Sequence, residues 1–388
     1  MSGLNAIFLA ALAVLTLGAS PAASQIETRA RQAYMIDAAT GTVLLAKEPD
    51  TRFPPASLAK LVTAEYVFAE LDAGRLDPAK PLPVSVYAWR TGGAPSRTST
   101  MFAAVKSEVP VGDLIQGVAV LQANDSCIIL AEGIAETEEA FTAKLNERAK
   151  ALGLTGTVLI NSSGLPGDGQ TTTVRDMVRL AQHLWTAYPQ RMPLFSQSHF
   201  EWNKINQPNR NPLLKMGIGA DGLSLGYDEG HGFAIVATAT SEGRRTILAL
   251  AGLSSDKERT EEARRLIEWS RTGFRTVALF ADGETIGEAK TFGGDRSRVK
   301  LVAKGPVGVL IPSDSKDRLI ARIVYDGPVE APVKVGLPVG RLRVWAGDRL
   351  VQETPLYTAE EIGVGTLSQR ALDAVEELMF GWFRSKSS

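Results

Sequence analysis

Ser57 and Lys60 stand three residues apart in the stretch Pro54-Pro55-Ala56-Ser57-Leu58-Ala59-Lys60-Leu61-Val62-Thr63. On a helix that spacing puts both side chains on one face, within reach of each other. A serine hydroxyl is a poor nucleophile until a base takes its proton. A lysine can be that base only as the free amine, and burial favours the free amine by penalising the ammonium. The stretch reads as a prolyl lead-in and the first turn of a helix, since a proline's missing N–H has no intrahelical partner there. Ser57 and Lys60 are therefore a candidate nucleophile and base. An ordinary helix start, with Ser57 capping and Lys60 in water, uses the same residues.

The spacing recurs at Ser254/Lys257, Ser297/Lys300 and Ser313/Lys316, which read as loop and surface positions. Context separates Ser57. It follows a predicted strand–turn–strand over residues 33–45 and opens an apolar helix containing Leu58, Leu61, Val62, Tyr66 and Val67. A second polar cluster, Gln122-Ala123-Asn124-Asp125, lies between two apolar predicted helices, over 111–121 and from about Ser126. There a side chain can point into a cleft, or Asn124 and Asp125 can simply cap the second helix.

The elements that must hold these residues follow in order. Residues 82–89 read as a strand and 91–100 as a loop. Thr137 caps a helix to 152, ended by Gly153, and Thr173 caps another over 174–188. Residues 161–167 and 206–211 read as loops. Residues 220–227 lead into two strands, 233–240 and 246–251, and a closing helix over 258–274. Strands at both ends of a helical middle predict an α/β domain with one antiparallel sheet flanked by helices. After residue 275, short valine-rich segments alternate with Gly, Pro and Asp turns, which predicts a small all-β, sandwich-like domain over 275–360.

At 388 residues and 44% hydrophobic content the chain has ample material for more than one core. A net charge of −1 offers nothing to a nucleic-acid partner. The single cysteine, Cys127, excludes an intramolecular disulfide, and His183, His199 and His231 are too scattered for a metal site. No metal or cofactor is implied. Residues 1–24 read as a signal peptide. The apolar run over 6–17 is followed by small residues at Ala22 and Ser24, although no Lys or Arg precedes it. The tail over 366–388 places Leu372, Val375, Leu378, Met379, Trp382 and Phe383 at helical spacing, ahead of Arg384 and Lys386. It is too short and too charged to span a bilayer, and reads as an amphipathic helix lying on a membrane or packed on protein.

Taken together, these stretches resemble the D-alanyl-D-alanine carboxypeptidases, the low-molecular-mass penicillin-binding proteins of the bacterial envelope. The segments that carry the resemblance are 32–46, 54–63, 117–127, 161–180, 200–214 and 220–252. It implies a penicillin-binding, β-lactamase-like domain over 25–272, acting from the periplasmic face of the inner membrane on peptidoglycan stem peptides and reacting with β-lactams. The family's site uses Ser-x-x-Lys, Ser-x-Asn and Lys-Thr-Gly. The first motif is intact here. At the second, Gln122 stands where serine is expected, with Asn124 kept. At the third, Ser224-Leu225-Gly226 replaces Lys-Thr-Gly, followed by Tyr227. Lys215 lies upstream but reads as a loop lysine.

The resemblance implies that Ser57 attacks, Lys60 activates it, and Asn124 orients the substrate or Lys60. Ser224, Gly226 and Tyr227 would line the substrate site, with the backbone N–H groups of Ser57 and Tyr227 as oxyanion hole. Glutamine cannot readily relay a proton to the leaving amine, and a serine brings no charge to the substrate's carboxylate. A hydrogen bond to a charged group is worth roughly 1.5–3 kcal/mol, so each loss is about ten- to a hundred-fold in rate or binding. The expected activity is thus a carboxypeptidase, attenuated by these changes. The alternatives are a pseudoenzyme that binds or scaffolds peptidoglycan, a D,D-endopeptidase, or a weak β-lactamase.

Overall fold

The computed structural model describes residues 26–371 and 375. The predicted signal peptide lies outside the described residues, as does most of the predicted tail, of which residues 367–371 and 375 are helical. Among the described residues no helix is long and apolar enough to cross a membrane.

A five-stranded antiparallel sheet organises the first domain. Its strands are β1 (Gln32–Asp37), β2 (Val43–Lys47), β3 (Ala220–Asp228), β4 (Gly232–Ser241) and β5 (Arg244–Leu253), in the order β2-β1-β5-β4-β3. β4 and β5 each carry six consecutive buried residues, the pattern of strands covered on both faces. On one face lie α1 (Lys60–Asp72), α2 (Val111–Gln116), α3 (Asn124–Ala135), α4 (Glu138–Ala151) and α5 (Val174–Ala187), around a core that includes Phe68, Leu121, Ile128 and Phe141. On the other lies α6 (Asp256–Thr272), which buries Ala263, Leu266 and Ile267. α1 is buried on nearly every side, which marks it as the central helix. Its one buried carboxylate, Glu65, is 0% exposed and is satisfied by Arg148 at 2.6 Å, His183 at 3.0 Å and Tyr188 at 3.2 Å.

Several expectations shift on the fold. The strand expected over 82–89 is only Pro81–Pro83. Ser85 instead caps a helix, Val86–Thr91, by accepting from Ala88 N at 2.9 Å. The expected polar loop over 206–211 begins as a strand, Ile205–Pro208, paired with His199–Trp202. Asn203 and Lys204 both have positive φ, as the tight turn of a hairpin requires. Thr137 and Thr173 do cap their helices, accepting from Ala140 N and Asp176 N.

The second domain is β-rich. A six-stranded sheet contains Gly287–Phe292, Arg298–Val302, Leu319–Tyr325, Val329–Glu330, Pro338–Ala346 and Arg349–Thr358, and a two-stranded sheet pairs Phe274–Phe280 with Val307–Pro312. Phe274 and Leu310 reach back into the core beneath α6, and Trp269 meets the Phe274 ring edge-on at 5.1 Å.

Candidate active site

Ser57 sits in a single 3-10 turn, Ala56–Ala59, that runs directly into α1 at Lys60. Side chains three apart eclipse each other in a 3-10 turn, so this geometry aligns Ser57 with Lys60 more closely than an α-helix would. Lys60 Nζ donates to Ser57 Oγ at 2.9 Å and to the Ser163 carbonyl at 2.6 Å. The lysine is 2% exposed, and it is not the solvated residue of an ordinary helix start. Burial lowers its pKa to about 8, and the positive field of Arg210 pushes the same way. Cys127 beside it is buried, and its thiol is pushed up to about 12, so it stays protonated.

The loop of residues 161–164 sets the position of Lys60. Asn161 Oδ1 accepts from Gly164 N at 2.6 Å and Ser163 N at 3.2 Å. Ser162 N donates to buried Glu138 at 2.9 Å, and the Ser162 carbonyl accepts from Thr63 Oγ1 at 2.6 Å. Gly164 has φ +74, and a Cβ there would lie 1.8 Å from the Ala56 carbonyl. Only glycine lets this loop close onto the nucleophile turn.

The second wall ends α2. A π turn, Gly117–Leu121, follows it, and Gln122 then takes a left-handed conformation with φ 51. Asn124 is buried at the start of α3. Its Nδ2 donates to Thr98 Oγ1 at 2.8 Å, while its Oδ1 has no partner among the described residues. No hydrogen bond joins Asn124 to Lys60 among those residues. Asp125 does not cap α3, since Ala123 holds the cap position. It accepts instead from Thr100 Oγ1 at 2.6 Å and Met101 N at 3.0 Å.

The third wall is β3, an edge strand. Ser224 Oγ donates to the Ser57 carbonyl at 3.3 Å and lies 3.4 Å from the Gln122 carboxamide. Gly226 packs closely on the nucleophile turn: a Cβ there would lie 3.2 Å from Leu58 Cγ and 3.3 Å from the Pro55 carbonyl. Tyr227, 56% exposed, tilts against Phe233 at the rim. Ser57, Gln122, Gly226 and Tyr227 thus line one cleft of about 320 Å³, with Arg210 and Arg259.

Those two arginines were not singled out from the sequence. The only sequence signal for Arg210 is its place in Asn209-Arg210-Asn211. Its Nε donates to the Leu121 carbonyl at 2.8 Å, its only side-chain hydrogen bond among the described residues. Arg259 is paired with Asp256, itself on the cleft wall. Lys215 is exposed and does not line the cleft.

A serine hydroxyl held by a buried amine, on a cleft beside an edge strand, is the arrangement of a serine acyl-transfer enzyme. The comparisons agree. A family profile described as D-alanyl-D-alanine carboxypeptidase matches residues 19–254, and one described as penicillin-binding protein 5, C-terminal domain, matches 274–363. The D-alanyl-D-alanine carboxypeptidase DacC of Escherichia coli strain K12 is 33% identical over 359 residues, covering 92% of this chain and 90% of that protein. The crystal structure of penicillin binding protein 5 from Haemophilus influenzae superposes with a TM-score of 0.78 at 29% identity, covering 88% of this chain and 99% of that one. Penicillin-Binding Protein D2 from Listeria monocytogenes, in its ampicillin-bound form, superposes with a TM-score of 0.54 at 26% identity, covering 63% and 98%. The chain belongs to the serine-type D-alanyl-D-alanine carboxypeptidase family of penicillin-binding proteins. Its fold is the expected sheet-and-helix domain followed by a β-rich one.

Proposed function

We propose that Ser57, Lys60 and Asn124 carry out the family reaction, removal of the terminal D-alanine from peptidoglycan stem pentapeptides, at a rate reduced by the altered second and third motifs. The observation that carries this reading is the 2.9 Å contact between Lys60 Nζ and Ser57 Oγ, with the lysine buried. The neutral amine takes the Ser57 proton as Oγ attacks the carbonyl carbon of the penultimate D-alanine. The backbone N–H groups of Ser57 and Tyr227 receive the oxyanion. The tetrahedral intermediate collapses, the C–N bond breaks, and the D-alanine amine leaves with a proton. Among the described residues Lys60 is the only titratable side chain hydrogen-bonded to Ser57, and Gln122 cannot relay a proton, so Lys60 returns it. Water then attacks the acyl-enzyme with Lys60 again as base.

Asn124 Oδ1, buried and without a partner among the described residues, is the acceptor for a substrate amide N–H. Ser224 and Gly226 shape the floor of the site. With the third-motif lysine absent, Arg210 is the cation placed to meet the substrate carboxylate, because it lines the cleft and its terminal nitrogens make no hydrogen bond among the described residues. Arg210→Ala should raise the half-saturating concentration of a D-alanyl-D-alanine peptide about ten-fold or more. β-Lactams should acylate Ser57, as the ampicillin-bound relative suggests.

The proposed layout is a signal peptide over 1–24, the acyl-transfer domain over 25–272, the β-domain over 275–360 and a membrane-associating tail over 366–388. The mature protein would then work at the periplasmic face of the inner membrane. Co-sedimentation of the chain with anionic vesicles, lost on removal of residues 366–388, is the expected result for the tail. For the chemistry, the purified protein is incubated with a labelled penicillin beside Ser57→Ala. A covalent band that disappears in the variant is expected. No band in the wild type at high concentration, with muropeptide binding unchanged by Ser57→Ala, would favour a binding or scaffolding role.

A further inference from the structure

Gln122 and Ser224 stand 3.4 Å apart on opposite walls of the cleft. The family pattern has a short serine at the first position and a long lysine at the second. This chain reverses the lengths, with the long side chain on the helical wall and the short one on β3. The reversal gives Gln122 a reach that a serine lacks. Its carboxamide has one orientation that satisfies both polar atoms: Nε2 donates to the Leu225 carbonyl at 3.0 Å, and Oε1 accepts from Leu225 N at 2.8 Å.

That pair of bonds copies what a neighbouring strand's peptide group would make. β3 is an edge strand, and an edge is a template on which an extended peptide adds. Leu225 and Tyr227 are two residues apart, so their N–H and C=O groups face the same edge, toward the cleft. The site is thus occupied from within, at the position next to the proposed oxyanion donor.

We infer that Gln122 is a latch: by pairing with the backbone of Leu225 it closes the edge of β3, and an acyl-peptide or β-lactam enters by displacing it. This rests on the reading that ligands bind along β3 beside Ser57. A latch in rapid equilibrium acts on ligand binding and leaves the chemical step alone, because only the open fraction binds.

Gln122→Met keeps the arm's length and loses both bonding atoms. Gln122→Asn keeps the amide but falls short of Leu225, and guards against a packing defect peculiar to methionine. In both variants hydrogen exchange at the Leu225 amide should accelerate about ten-fold or more. The half-saturating concentration of a fluorescent penicillin should fall about ten-fold. Unchanged exchange at Leu225 in both variants would overturn the latch. So would faster exchange with half-saturation unchanged or raised while the wild type is labelled at Ser57. If no protein in the series is labelled although exchange accelerates, the acyl-transfer reading fails and the gate fails with it.

Discussion

At Ser57 the chemistry turns on the protonation of one amine. Lys60 is drawn down to about 8 from 10.5 by burial, so near neutral pH a useful minority is already the free base. The acylation rate should climb with pH along a single limb with a midpoint near 8 and level off above it. Rapid-quench labelling from pH 6 to 10 would measure this, and a flat profile would remove Lys60 as the base. The same shift has a sign in stability. Between about 8 and 10.5 the unfolded chain holds more protons on Lys60 than the folded one, so this residue makes the fold more stable as pH rises through that window. Below it, keeping the ammonium buried costs about 3 kcal/mol. Lys60→Met should therefore be inactive yet more stable than the wild type at pH 7. That advantage should disappear by pH 10.5 in urea titrations.

Among the elements, the 161–164 loop does as much for the site as the helix that carries it. It supplies the Ser163 carbonyl that holds Lys60 Nζ, and it closes on the Ala56 carbonyl only because residue 164 has no Cβ. Gly164→Ala meets backbone at an impossible distance in a left-handed conformation, so the loop must retreat. The expected loss is about 2 kcal/mol or more of stability. Penicillin labelling should fall at least ten-fold as Lys60 loses its second anchor. Labelling at the wild-type rate would show that the Ser163 contact is dispensable. The neighbouring Asn161-Ser162-Ser163-Gly164 run was legible as a loop, but nothing in it announced that a backbone carbonyl would be its contribution.

For the whole molecule, the two domains share a core under α6, where Leu310 of the second domain packs with Leu266, Ile267 and Phe274. Leu310→Ala should destabilise the chain by about 2–5 kcal/mol. The cleft takes Asp256 and Arg259 from the first turn of α6, whereas Leu310 packs with Leu266, Ile267 and Phe274 towards the other end of that helix, so labelling at low temperature should be unchanged. A parallel loss of labelling would mean that the β-domain controls the cleft. The sequence by itself determined what is local or repeated. It determined the strand–turn–strand before the nucleophile, the helices capped by Thr137 and Thr173, the β-rich second half, and the Ser57/Lys60 pair, to which the family resemblance added the two altered companion motifs. Short-range hydrogen bonds and periodic apolar residues decide these, and both are written in consecutive residues. The helix after Ser85 escaped because Val86, Tyr87 and Trp89 are β-branched or aromatic residues that suit a strand, whereas the cap that decides it is a single hydroxyl. The tertiary structure alone decided which groups meet across long separations: the Ser163 carbonyl at Lys60, Arg210 and Arg259 in the cleft, and Gln122 on the backbone of Leu225. Those contacts depend on how an edge strand and two helix ends converge, and backbone carbonyls and amides carry no residue-specific signature from which that convergence could be read.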